Sequence, residues 1–364
     1  MMQSMRIAAA IVGVIVGAGF SSGQESLQYF VAFGWEGLLG VLLVTVLFAV
    51  VFMRTVQLGS MLQTTSHLEV LRSICGKYLS VVVDWVITFF LFGVLVLMMA
   101  GSGALFAQQF NLPSVSGNIF MVVITVVTVC LNLKKIVTIM GAFTPIIFCA
   151  ILILGIYTIM NTDSSAVESV ATGDLEYAAM SSWIVSAFVY LSFVTAAGFS
   201  MLTVLGGTST NVKDSGIGGM MGGIAIGLLT AILYVALLSN FDRIKDADMP
   251  TLILANNISP WFAFFMAIII LGMIYNTAIG MLYAFMVRFI SPDHPKFKLS
   301  IVGVGLVAFA LSFMGFTELV GLLFPITGIL GFILIGGILW SFFKKPEKDI
   351  IVDVENKDKG KVVV

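Results

Sequence analysis

Ser21-Ser22-Gly23-Gln24-Glu25 sets two hydroxyls, an amide and a carboxyl directly after Gly17-Ala18-Gly19-Phe20, inside an apolar stretch. An ionisable residue at membrane depth is costly and marks a candidate functional position. Glu25 is suited to two tasks, holding the amine of a solute or carrying a proton. Gln24 adds both a donor and an acceptor beside it. The same residues have capping-box spacing, with Ser22 capping a restarted helix and Glu25 returning a bond to the cap N–H. Glycines at 17 and 19 let the backbone leave helical geometry, which frees peptide groups for ions and polar solutes. Exposed N–H groups at Phe20–Ser22 would then attract a carboxylate.

The elements that must position these residues follow from composition. The chain has 364 residues, 59% hydrophobic and 10% charged, with a mean hydropathy of +1.10. Soluble domains carry about 25% charged residues, so lipid must be the solvent for most of this chain. A net charge of −1 gives no basic field for nucleic acid. Cys75, Cys130 and Cys149 have no metal-like spacing. No HExxH, P-loop or nucleophile–base constellation occurs, which argues against an enzyme.

Hydropathy divides the chain into ten expected spans: 5–32, 36–58, 78–108, 115–133, 136–160, 181–206, 216–239, 259–289, 299–314 and 317–343. The fold class is an all-α integral membrane protein with one domain over 1–343 and a charged cytoplasmic tail over 344–364. Met249-Pro250-Thr251-Leu252-Ile253-Leu254 is suited to a short lid helix on the outer face. With the N-terminus in the cytoplasm, 16 of the 18 Lys and Arg lie inside, and Arg243 and Lys245 alone lie outside. This asymmetry places both termini in the cytoplasm, the membrane being the cell membrane.

Gly17-Ala18-Gly19-Phe20-Ser21 returns as Ala196-Ala197-Gly198-Phe199-Ser200, identical at four of five positions. The same offset carries the starts of spans 2 to 5 onto those of spans 7 to 10. Five spans is an odd number, so the copies enter the membrane from opposite sides, the inverted-repeat design of many secondary transporters. Spans 1 and 6 are thus both expected to be broken. Freed carbonyls at Thr195–Ala197 would accept from an amine, and Phe193 and Phe199 would wall the site. Tyr190 and Ser192 are weaker candidates on span 6, and Ser102 in span 3 and Tyr275 in span 8 would complete the lining. The glycines of span 7 (Gly216, Gly218, Gly219, Gly222, Gly223) are expected to serve close helix packing.

Val16-Gly17-Ala18-Gly19-Phe20-Ser21-Ser22-Gly23-Gln24-Glu25 resembles the first-helix signature of the YkvI-like bacterial membrane proteins. That family is grouped with the amino acid–polyamine–cation superfamily and its LeuT-type five-plus-five fold. The resemblance implies that spans 1, 2, 6 and 7 form a moving bundle and spans 3, 4, 8 and 9 a scaffold. It also implies a candidate Na⁺ site with carbonyl donors Gly13, Val16 and Met273 and side-chain donors Asn276 and Thr277. The sequence departs from the pattern with Asn at the first hydroxyl position.

The function so implied is secondary active transport of a small polar or zwitterionic solute, an amino acid or amine, coupled to Na⁺ or H⁺. The partners are that solute and the bilayer, and no cofactor is expected beyond Na⁺ as a coupling ion. The competing readings are a membrane sensor that kept the fold and, further off, a channel. Asp84 is expected to pair with Arg54, Arg72 or Lys77 at an inner gate, and His67 and His294 to lie in loops.

Overall fold

The computed structural model describes residues 2–64, 66–130, 146, 149–161, 173–291 and 294–343. The tail, the first half of expected span 5 and most of the 161–180 loop lie outside the described residues. Among the described residues all regular structure is helical. The first span is split into α1 (Met2–Ile15), α2 (Ala18–Ser22) and α3 (Gln24–Tyr29), followed by a 3₁₀ turn at Val31–Phe33. Then come α4 (Trp35–Leu62), α5 (His67–Phe110), α6 (Ser114–Val129) and α7 (Cys149–Met160). The second half holds α8 (Trp183–Gly207), α9 (Val212–Leu238), α10 (Phe241–Ile244), α11 (Pro250–Ile258), α12 (Pro260–Met286), α13 (Phe297–Leu311) and α14 (Phe316–Trp340). Among the described residues, seven helices are long and apolar enough to cross a membrane, with α6 and α7 as shorter apolar helices.

Span 1 breaks where expected. α1 stops at Ile15, and Val16 and Gly17 are non-helical. A second interruption follows at Gly23, whose φ of +86° suits a residue without Cβ. Span 6 differs from expectation: α8 runs unbroken through Ala196-Ala197-Gly198. Two alanines, the best helix formers, stand where the first copy has Gly17-Ala18. Gly198 serves packing instead, since a Cβ there would strike the side chain of Ile15 on α1.

The glycines of α9 do what span 7 suggested. Gly219, Gly223 and Gly227 press on the backbone of Phe52, the backbone of Phe48 and the side chain of Thr45, all on α4, while Gly218 and Gly222 receive Ile7 and Ile11 of α1. Gly59 on α4 and Gly206 on α8 close a third contact, backbone against backbone. Helices in lipid gain little from the hydrophobic effect, so such close approaches supply much of their association. α1, α4, α8 and α9 therefore form one packed group. α5, α6, α12 and α13 form a second, with Gly117 of α6 on the Ser102 carbonyl of α5. α14 lies against both α8 and α5.

Gly223→Val would drive its side chain into the Phe48 backbone, an overpacking that costs about 1–3 kcal/mol. Gly303, where a Cβ would meet nothing within 4 Å, is the control. Purified Gly223→Val is expected to melt below wild type and Gly303→Ala to match it. Equal melting of the two variants would sink this account of the glycine face.

Candidate functional site

The site forms where the broken first span meets α8, α11 and α12. Ser21 answers the break locally: its N–H and its hydroxyl both donate to the Gly17 carbonyl, at 3.0 and 2.7 Å. The Ser21 N–H, expected to face an anion, is thereby used inside the break. The Ser22 hydroxyl donates to the Gly19 carbonyl at 2.8 Å and accepts from the Gln24 N–H at 3.3 Å. The expected capping box does not form. Gly23 is the cap of α3, without a side-chain cap bond, and Glu25 turns inward.

Glu25 is 8% exposed. Its carboxyl occupies the space a Cβ would take at Gly19 and lies beside the Tyr190 hydroxyl of α8. Tyr190 in turn neighbours Thr230 of α9. One turn beyond Glu25, the Tyr29 ring packs 5.5 Å from both Tyr190 and Phe193. Phe193 stacks on Phe324 of α14, with centroids 4.4 Å apart. The hydroxyls of Ser26, Tyr29, Ser192 and Thr195 are buried and have no hydrogen-bond partner among the described residues. Phe20, Ala196 and Phe199 are buried in the core, while Ala197 is half-buried. Phe199 thus packs inside the bundle where it was expected to wall the site.

Two expected lining residues point elsewhere. The Ser102 hydroxyl donates to the Gly117 carbonyl of α6 at 3.0 Å. The Tyr275 hydroxyl bonds Thr128 of α6 at 2.6 Å. Both hold scaffold helices together.

Of the expected cation donors, Thr277 is seen to reach the break. A Cβ on Gly17 would lie 3.8 Å from the Thr277 hydroxyl. Met273, Asn276 and Thr277 share one face of α12 by helical spacing. The Asn276 side-chain oxygen is buried and unpartnered. Among the described residues, no hydrogen bond from beyond the break reaches the Gly13 or Val16 carbonyl. The donor set is all neutral oxygen, which suits a hard monovalent cation.

One end of the site is closed by polar bonds that sequence reasoning missed. Gln24 donates to the Ala247 carbonyl at 2.6 Å and to the Thr317 hydroxyl at 3.2 Å. Gln28 donates to the Gln24 side-chain oxygen and to the Thr317 carbonyl, both at 3.2 Å. Thr317 donates to Asp248 at 2.7 Å. Gln108 pairs with the Met249 backbone through both amide atoms at 2.9 Å. The expected short helix is α11, whose Thr251 hydroxyl donates to the Ser21 carbonyl at 2.7 Å. The i, i+4 spacing of Gln24 and Gln28 was the available signal.

At the other end, Asp84 pairs with Arg288 at 2.6 Å and lies 3.4 Å from His67, the first residue of α5. This replaces the expected Arg54, Arg72 or Lys77 partner. It joins α5 to the segment after α12, two members of one packed group. Arg54 instead reaches Ser341 past the end of α14, through its hydroxyl at 2.8 Å and its carbonyl.

No protein-family profile matches the chain. It is 26% identical over 333 residues to the uncharacterized protein YyaD of Bacillus subtilis (strain 168), covering 89% of this chain and 93% of that one. It is 23% identical over 338 residues to the uncharacterized membrane protein YkvI of the same organism, covering 93% and 95%. Its structure is similar to MhsT in complex with L-phenylalanine, with a TM-score of 0.60, 14% identity and coverage of 92% and 88%. It is also similar to the Eremococcus coleocola manganese transporter, with a TM-score of 0.55, 14% identity and coverage of 92% and 78%. The chain is thus a multi-pass membrane protein with a LeuT-type transporter fold.

Gln108→Ala would leave the Met249 N–H and C=O without these partners, a loss of about 1–3 kcal/mol locally. Amide hydrogen exchange is expected to quicken over 247–252 while the melting temperature stays near wild type. Unchanged protection there would refute the clamp. Tyr177 donates to Asp246 at 2.7 Å. That hydrogen bond to a carboxylate pushes its phenol up to about 12. The bond persists below the ordinary phenol range near ~10 and is lost as pH rises through about 12. The wild-type minus Tyr177→Phe phenolate absorbance should therefore rise at a higher pH than the same difference measured in an Asp246→Asn background.

Proposed function

We propose that this chain is a secondary transporter that carries a small polar or zwitterionic solute, an amino acid or amine, by alternating access. The observation that carries this reading is the backbone break at Val16–Gly17. Thr277 lies beside it, the buried and unpartnered Asn276 is the neighbouring residue on α12, and the buried Glu25 follows along the chain. Unwound backbone at membrane depth is tolerated where it is buried in protein or lines a cavity, and transporters use it to bind substrate and coupling ion. The shared fold supports the same class.

Between the two kinds of cargo named for the structural neighbours, the chemistry favours the organic one. Among the described residues no group of three His, Cys, Asp or Glu converges to hold a metal. We assign the oxygens of Gly13, Val16, Met273, Asn276 and Thr277 to a coupling Na⁺. The ten-span count, the five-plus-five repeat and the cytoplasmic placement of both termini in a bacterial membrane belong to this proposal. The repeat is asymmetric, because α8 is continuous.

A ligand that binds the folded state stabilises it by mass action, about 2.7 kcal/mol at a hundredfold excess over Kd. Purified protein is expected to show a raised melting temperature with one class in a panel of amino acids and amines. The rise should be larger in Na⁺ than in choline buffer, and labelled solute of that class should enter proteoliposomes. Asn276→Ala and Thr277→Val should each remove the Na⁺-dependent part. Saturable binding without flux would replace transport by sensing, and a Na⁺ effect that survives both variants would overturn the ion assignment.

A further inference from the structure

Glu25 is the buried acid that the Na⁺ assignment leaves without a task. The titratable groups that face it are Tyr29 of its own helix and Tyr190 of α8. α2 presents Gly19 to it, and α9 supports Tyr190 with Thr230. Among the described residues, no charged side chain from α8, α9, α11, α12 or α14 faces it. An unpaired carboxylate at membrane depth is costly. The cost is removed by a counter-cation or by a proton.

The packing selects between these two. The rings of Tyr29, Tyr190 and Phe193 are at most 3% exposed. They lie 5.1 to 5.5 Å apart, centroid to centroid. A solute amine would have to part them, whereas a proton takes no volume. A polar track leads outward from the adjacent Gln24 through Thr317 to the half-buried Asp248.

We propose that Glu25 is a proton-binding site of the transport cycle, positioned by Tyr190, and that solute movement is coupled to this proton as well as to the cation at Asn276 and Thr277. This rests on the transporter reading. The step is a simple protonation: the carboxylate takes H⁺ from water on one side and becomes a neutral acid. It returns H⁺ to water on the other side after the helices rearrange. No other bond forms or breaks. The neutral acid keeps a donor and an acceptor, which the Tyr190 hydroxyl and the unpartnered Tyr29 hydroxyl can match.

The first test needs no solute. Infrared difference spectra of the purified full chain between acidic and alkaline buffer should show the carbonyl stretch of a titrating carboxylic acid. That band should be missing in Glu25→Gln and displaced in frequency in Tyr190→Phe, a change that a merely structural role for Tyr190 would not produce. Spectra of wild type and Glu25→Gln that coincide overturn the proton site, whatever the protein carries.

The second test uses proteoliposomes and the amino acid and amine panel. Wild type should accumulate labelled solute when a pH gradient is imposed, and Glu25→Gln should lose at least tenfold of that accumulation, with Gly303→Ala as the control that keeps it. Pumping that survives in Glu25→Gln overturns the coupling. A titrating Glu25 band with no exchange of any panel solute in wild type overturns the transporter reading, and the coupling falls with it.

Discussion

Peptide groups in hydrocarbon must be satisfied by the protein itself, and the break at Val16–Gly17 is where this chain meets that constraint. Helical bonding lapses there, so other groups must take its place. Ser21 and Ser22 fold their hydroxyls back onto the Gly17 and Gly19 carbonyls. Thr251 of α11 reaches in to the Ser21 carbonyl. α12 brings Thr277 up to the gap. The surrounding helices can be understood as the enclosure that makes one unwound turn tolerable.

The ties that hold this enclosure differ in kind. Within the group α1, α4, α8 and α9, glycine faces bring backbones together over several turns, and no single bond dominates. At the 241–258 end, closure rests on a handful of amide and hydroxyl bonds, one of them to the Asp248 carboxyl. Each such bond contributes roughly 1 kcal/mol net. A set of that size can be exchanged for water on opening, whereas the glycine seams cannot part without creating voids. The Asp84–Arg288 pair also stays out of any gate, because it joins helices within one group.

Seven long apolar helices were legible among the described residues, because hydropathy and length measure the same quantity that a bilayer imposes. The first break was legible too, since Gly17, Gly19 and Gly23 fall within seven residues, with two serines between the last two. The second was misread because Gly198 stands alone after two alanines, so helix propensity outweighed the local identity. Side-chain direction was the harder quantity. Ser102 and Tyr275 are polar residues in the right spans, yet each faces α6. The closing bonds Gln28–Thr317 and Gln108–Met249 join residues more than a hundred positions apart, and hydropathy carries no record of them.

The space beneath Glu25 acts as a gauge of side-chain length. The carboxyl fits because Gly19 ends at Cα, and a single methyl there would collide with it. The two positions, one turn and a half apart along a broken helix, therefore share one volume. Alanine at 19 would push the Glu25 carboxyl aside, and aspartate at 25 would leave that methyl room. The residue at 19 thus sets the reach of the one at 25.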